Sequence, residues 1–271
     1  MSRDVGRMDA ASSSRIDGWL DAVITRHTSA FTTPEFLKAV RALSARYVET
    51  RHALPGRSPI DTAGKRAAFA GFYAPLHFIT MRAVLAAVAA DLTPPATIVD
   101  LGCGTGVVGA AWALTGSTPV SLIGIDQNPW VLGEAKWNWQ ALGLRGRTLR
   151  GDLERPLHAS VPKGSAESLA GFGLTLGWAV NELPASRWPT LLDELRGYLD
   201  AGASVLIVEP LARSASPWWD TWSRAWLAAG GRADEWKFEA NLPPTLAALD
   251  EAAGFRRDTL GARTLWAAGT R

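Results

Sequence analysis

Three alternate glycines follow an apolar run in Thr97-Ile98-Val99-Asp100-Leu101-Gly102-Cys103-Gly104-Thr105-Gly106. The run reads as a buried strand. The glycines let the backbone turn sharply and approach a ligand without side-chain clash. A helix entered at about Thr105 would offer free N–H groups and its positive dipole end to a carboxylate or phosphate. Strand, glycine turn and helix in this order head an α/β domain with a nucleotide-type site. Gly104 to Gly109 also fits the dinucleotide pattern G-x-G-x-x-G, a weak signal when alone. Asp100 argues against that pattern. A carboxylate two residues before the first glycine repels a pyrophosphate and suits a cationic amino group.

Beyond this turn the chain alternates strands and helices. Strands are expected at about 97–102, 121–126, 147–151, 173–178 and 204–209, with helices to about Leu114, from Pro129 and over 187–200. A Trp-rich helix is expected at about 217–229 and another at about 244–253, closed by Gly254. The stretch 234–241 is ambiguous, and 255–260 with 264–268 reads as a terminal strand pair. Repeated βα units of this kind build a parallel sheet.

The run Asp100-Leu101-Gly102-Cys103-Gly104-Thr105-Gly106 resembles motif I of the class I S-adenosylmethionine-dependent methyltransferases. The resemblance implies a Rossmann-like α/β fold. Its seven-stranded, mostly parallel sheet would be ordered 3-2-1-4-5-7-6, with helices on both faces and the last strand antiparallel. It also implies S-adenosyl-L-methionine as cofactor, with the acid and glycine loop, Asp100, Gly102, Cys103, Gly104 and Gly106, at its methionine end. Asp126 ends the second strand about twenty residues after the turn, where an acid can accept both ribose hydroxyls; the other reading is a helix N-cap by Asp126 or Asn128. Gln127 and Asn128 would flank the adenine. Gly151, Asp152 and Leu153 end the third strand, where the resemblance places an acid against the adenine amino group; an Asx turn is the competing role for Asp152.

Trp178-Ala179-Val180-Asn181-Glu182-Leu183-Pro184 follows the fourth strand, where an open α/β sheet has its ligand crevice. Trp178 would border the cofactor. Asn181 would bind substrate or the cofactor's amino group, and Glu182 would orient a donor, act as base, or only cap the next helix. The amino-group methylases of the superfamily carry Asn/Asp-Pro-Pro-Tyr/Phe here, and this chain has Asn-Glu-Leu-Pro. Tyr73, His77, Glu209, Trp218 and Trp219 are the candidate substrate contacts, with core packing as the alternative for the tryptophans.

The residues before motif I, Glu182-Leu183-Pro184 and Val208-Glu209-Pro210 also resemble the small-ribosomal-subunit methyltransferase-like proteins over about 66–226. Larger members of that family carry a cysteine cluster. This chain has one cysteine, so no metal is carried over.

Residues 1–95 read as a helical N-terminal cap and 96–271 as the S-adenosylmethionine-binding domain. Residues 1 to about 15 form a polar tail, after which Ile16, Trp19, Leu20, Val23 and Ile24 fall on one helical face. Thr33-Pro34-Glu35 marks a second helix start, with Thr33 as cap, and Phe36, Leu37, Val40, Leu43 and Tyr47 continue the stripe. Leu54-Pro55-Gly56 and Ser58-Pro59 break it, and 64–90 hold one or two further helices ending near Asp91. Apolar residues make up 47% of the chain, enough for a sizeable core. No run looks long enough to span a membrane. Met1-Ser2-Arg3-Asp4 leads into no apolar segment, so the cytoplasm is the expected compartment. The net charge of +2 implies no nucleic acid, although 1–96 carry 12 Lys/Arg against 8 Asp/Glu and the rest 16 against 18. The resemblance implies a methyltransferase, and a small-molecule acceptor is expected. Ribosomal RNA as acceptor, a non-catalytic ribosome-associated module that keeps the cofactor fold, and an NAD-dependent oxidoreductase are the alternatives.

Overall fold

A computed structural model describes residues 10–49, 59–88, 94–155, 157–159 and 169–269. Most of the expected tail, the Leu54-Pro55-Gly56 break, the helix end near Asp91, the Tyr47 side chain and most of the 154–168 loop lie outside these residues.

Seven strands form one sheet in the order β3-β2-β1-β4-β5-β7-β6. They are β1 (Thr97–Leu101), β2 (Ser121–Asp126), β3 (Arg145–Arg150), β4 (Phe172–Gly177), β5 (Ser204–Glu209), β6 (Arg232–Glu239) and β7 (Thr259–Ala267). The β1–β2, β2–β3, β1–β4 and β4–β5 pairs are parallel, whereas β7 runs antiparallel to both β5 and β6. The expected order and the antiparallel last strand are therefore found. The expected strand pair over 255–268 is not. Residues 259–267 are one continuous strand, and its outer partner is the stretch whose sequence reads ambiguously. Charge explains the ambiguity: β6 is an edge strand that exposes Glu235, Lys237 and Glu239 while half-burying Trp236 and Phe238. An edge strand carrying charges resists pairing with other chains.

The helices are α1 (Ala10–Thr28), α2 (Thr33–Glu49), α3 (Ala63–Ala68), α4 (Ala74–Val88), α5 (Val107–Ala113), α6 (Pro129–Ala141), α7 (Trp188–Asp200), α8 (Trp219–Ala228) and α9 (Pro244–Ala252). Helix α1 starts at Ala10, so residues 10–15 are helical rather than a tail. Helix α2 is capped by Thr32, one residue before the expected cap. Its backbone N–H and hydroxyl both reach Glu35 Oε2, at 2.8 and 2.7 Å, the reciprocal half of a capping box.

Two apolar layers cover the sheet. On one face α1–α6 share a single core, with Ile98, Leu206 and Val208 from the strands and the fully buried Trp19, Trp112 and Trp139 from the helices. On the other face α7 and α8 bury Leu191, Leu195, Trp222 and Trp226 against Val99, Leu101, Val205 and Ile207. Alternate residues of β1 thus serve opposite layers, as the two-residue strand period requires.

Between α3 and α4 the chain makes a π-helical turn, Phe69–Tyr73, so that Ala63–Val88 is one continuous helix of 26 residues. By length and composition this helix would suffice to cross a membrane, contrary to the expectation that no such run exists. Of its most apolar stretch, 61% is buried inside the protein, as in a core helix.

Candidate active site

At β1 the chain first winds outward through β2 and β3 and then returns to start β4 on the other side. Outside the carboxyl ends of these strands lies the switch-point crevice of an open α/β sheet. A cavity of about 600 Å³ occupies it, a size typical of small-ligand sites.

The glycine turn forms one wall. Gly102, Gly104 and Gly106 all have left-handed backbones, with φ of 66, 49 and 74°, and Gly102 and Gly106 sit where a side chain would collide. A Cβ on Gly102 would lie 2.8 Å from Ala179 Cβ, and one on Gly106 2.7 Å from Trp139 Nε1. Gly102 N–H and Cys103 N–H both donate to Ile125 O, tying the turn to β2. Gly102, Cys103 and Gly104 line the cavity, and Gly106 caps α5 behind it. The Cys103 thiol is buried, and burial raises its pKa well above the usual value, which suits a packing residue and not a nucleophile.

Asp126 closes β2 and faces the cavity. Its carboxylate accepts from Gly104 N–H at 3.0 Å and Asn128 N–H at 2.9 Å. Burial raises its pKa, against the lowering effect of those bonds. Gln127, Asn128, Gly151, Asp152 and Leu153 also line the cavity. Asn128 caps α6 through Trp130 N–H, and Asp152 Oδ1 accepts from Glu154 N–H in an Asx turn, so both competing local roles are real. The 151–155 loop is held by a residue that the sequence did not reveal. Buried Arg187 donates to Leu153 O at 2.8 Å and Arg155 O at 3.0 Å, and pairs with Glu194.

Asp100 is placed differently from expectation. It is 1% exposed and lies beneath the turn, where Oδ2 accepts from Gly109 N–H of α5 at 2.9 Å. Burial raises its pKa to about 7, against the Gly109 bond and with the Asp126 charge. It shapes the turn from behind and does not reach the cavity.

Trp178, Asn181 and Glu182 line the cavity at the end of β4, beside the glycine turn. Trp178 adopts φ 54°, a left-handed backbone that is unusual for a bulky residue and characteristic of strained functional sites. Its indole stacks on His77 of α4, with centroids 4.0 Å apart and planes within 6°. Burial, and then the charge of Arg257, lowers the His77 pKa to about 3, so this imidazole is neutral. The π-helical turn aims Phe69 and Tyr73 into the same cavity, in keeping with the frequency of π-bulges at functional sites. Helix α7 begins at Trp188, and its N-cap residue, Arg187, makes no side-chain cap bond.

Three expected substrate contacts do not line the cavity. Glu209 is fully buried at the end of β5 and works behind the wall, accepting from Val180 N–H and the Asn181 amide. Trp218 and Trp219 are 4% and 8% exposed and pack in the core of the second layer with Trp222. Their position just after β5 in sequence put them near the crevice, but the turn at Arg213–Ala215 carries them beneath the sheet's other face. Lining residues that the sequence did not single out include Ile60, Phe69 and Val131.

No family model matches the chain, so the ribosomal-family resemblance rests on its short motifs alone. Over 81 residues the chain is 38% identical to the ribosomal protein L11 methyltransferase of Thermus thermophilus; the match spans 30% of this chain and 31% of that protein, about a third of the relative's length. A putative O-methyltransferase from Nostoc punctiforme shares the fold with a TM-score of 0.53 at 14% identity, covering 87% of this chain and 72% of that one.

Proposed function

We propose that this chain, a class I S-adenosylmethionine-dependent methyltransferase by fold, binds S-adenosylmethionine in the crevice and passes its methyl group to a small organic acceptor beneath the cap. The observation that carries the reading is the chemistry of the cavity wall. Asp126, Asp152, Glu154 and Glu182 line it, and among the described lining residues there is no Lys or Arg. Such a wall suits a ligand with an ammonium, a sulfonium and ribose hydroxyls. It opposes the pyrophosphate of a dinucleotide and the phosphates of RNA.

The residues present fit the cofactor. Asp126 would hold the ribose, Gln127 and the Gly151–Leu153 segment would border the adenine, and the turn at Gly102–Gly104 would admit the methionine end at close backbone approach. When bound, S-adenosylmethionine supplies an electrophilic methyl group on a sulfonium. The protein's part is then to align an acceptor atom and to exclude water. Trp178, His77 and Tyr73 wall the acceptor side, and Asn181 and Glu182 supply its polar groups. A base is needed only where the acceptor must lose a proton, and Glu182, which lines the cavity, would serve as that base. Ile60, Phe69 and Tyr73 line the same cavity, and its size of about 600 Å³ favours a small molecule over a macromolecule.

The test is transfer of radiolabel from methyl-labelled S-adenosylmethionine into fractionated cell extract. Label in the low-molecular-mass fraction is expected. Label confined to ribosomal RNA or protein would overturn the small-molecule acceptor, and label in no fraction would overturn the enzymatic reading.

A further inference from the structure

The polar end of the acceptor wall has a fixed orientation. Asn181 follows β4 in a short helical turn, Val180–Glu182, which is pinned from behind by Glu209. One Glu209 oxygen accepts from Val180 N–H at 2.9 Å, and the other accepts from Asn181 Nδ2. Glu209 is fully buried and carries this load with both oxygens. A carboxylate accepts and does not donate, so the Asn181 amide must turn its NH₂ to Glu209. That leaves the carbonyl oxygen, Oδ1, as the end of the side chain available to the cavity. The next residue, Glu182, adds a carboxylate to the same wall. The adjoining surface is the stacked His77–Trp178 pair. Both polar groups therefore offer lone pairs, and the surface beside them is flat and aromatic.

We propose that the methyl acceptor is the nitrogen of an amine borne on a flat, largely apolar body, with Asn181 Oδ1 taking one N–H, Glu182 taking the departing proton, and the His77–Trp178 face carrying the body. This rests on the methyltransferase reading above. An acceptor that is a carboxylate, a phosphate or a phenolate would meet an acceptor lone pair at Asn181 and a negative charge at Glu182. The neutral imidazole of His77 offers such an anion no compensating charge.

The step balances. An ammonium first gives one proton to the Glu182 carboxylate and so frees its lone pair. That pair forms the new N–C bond as the S–C bond of the sulfonium donor breaks. The S–C electron pair stays on sulfur, giving a neutral sulfide, and the nitrogen leaves as an N-methylammonium. The proton on Glu182 passes to water.

The test is calorimetry on the full chain loaded with S-adenosylhomocysteine, with tryptamine and indole-3-propionate as probes. The two share a ring and a chain length and differ in the sign of the terminal charge. Tryptamine should bind at least about tenfold more tightly, the ratio set by one charge-assisted hydrogen bond. Glu209→Gln should erase or reverse the preference. Its amide NH₂ would face Asn181, whose own amide would flip to accept that bond and present NH₂ to the cavity. A merely structural role for Glu209 would weaken both probes alike.

Equal binding of the two probes by the wild type, preference for the acid, or binding of neither would overturn the amine inference. An unchanged preference in a Glu209→Gln protein that still binds S-adenosylhomocysteine would overturn it as well. If that variant fails to fold, the wild-type ratio decides. Failure of wild-type protein to bind S-adenosylhomocysteine, measured first, would overturn the methyltransferase reading and the amine inference with it.

Discussion

Helix α1 and the glycine turn are joined by one buried side chain, and its removal has a calculable cost. Asn138 of α6 is fully buried. Its Oδ1 accepts from Trp19 Nε1 of α1 at 2.8 Å, and its Nδ2 donates to Thr105 O in the glycine turn at 2.9 Å. Asn138→Leu keeps nearly the same shape, so little cavity is created. It orphans the Trp19 N–H and the Thr105 carbonyl, on residues that are each 2% exposed. Each orphaned buried group costs about 1–3 kcal/mol, which predicts a loss of about 2–6 kcal/mol in unfolding free energy. That is a large share of the roughly 5–15 kcal/mol of a typical domain. Urea unfolding followed by circular dichroism measures it, with an unchanged m-value as the check that the denatured state is the same. Trp19→Phe removes the donor together with part of a buried ring. In the Asn138→Leu background it should cost less than in wild type, with a coupling of about 0.5–3 kcal/mol. A loss below about 1 kcal/mol for Asn138→Leu, or strict additivity, would refute the claim that this side chain links α1 to the turn.

Gly104→Val should abolish S-adenosylhomocysteine binding, because φ is 49° and the new Cβ would press to 3.3 Å from Phe69 Cζ; calorimetric affinity within about twofold of wild type would contradict this. Glu182→Gln should leave that affinity nearly intact and lower kcat, by roughly 10²–10⁴-fold if the carboxylate takes a proton; wild-type turnover would remove Glu182 from the acceptor site. Asp100 gives a pH prediction. Its carboxyl titrates near 7 in the folded chain against an ordinary 3.8, so between these values the folded chain holds a proton that the unfolded chain has released. The stabilisation from this proton is full below about pH 3.8, declines above it and is lost as pH passes about 7. The unfolding free energy of wild type relative to Asp100→Asn should therefore fall as pH rises over that interval, and a flat difference in urea unfolding would refute it.

What could be read from the chain is what is local. The strand, glycine turn and helix at 97–113 are set by neighbouring residues, and so are the Asp126 strand end and the Asn128–Pro129 helix start. The strand order came from resemblance, since periodicity says which faces are buried and not which strands are neighbours. Two kinds of signal stayed hidden. Edge strand β6 lacks the apolar run of a central strand, because one of its sides meets water. Long-range partners leave no trace in spacing: Trp19 and Asn138 stand 119 residues apart, and His77 meets Trp178 only because α4 lies across the crevice. Asp100 and Trp218 show the converse error. Sequence placed each close to the site, but Asp100 points from β1 to Gly109 N–H of α5, behind the turn, and a short helical turn put Trp218 under the sheet.

The most direct test of the account is ligand preference at the crevice. Isothermal titration of the wild-type chain with S-adenosylmethionine, S-adenosylhomocysteine and NAD⁺ should show the first two binding and NAD⁺ not. Asp126→Ala should weaken S-adenosylhomocysteine by about 1–3 kcal/mol, the scale of a lost charged hydrogen bond. Binding of NAD⁺ in preference to the sulfonium ligand, or Asp126→Ala leaving a folded protein with unchanged affinity, would contradict it.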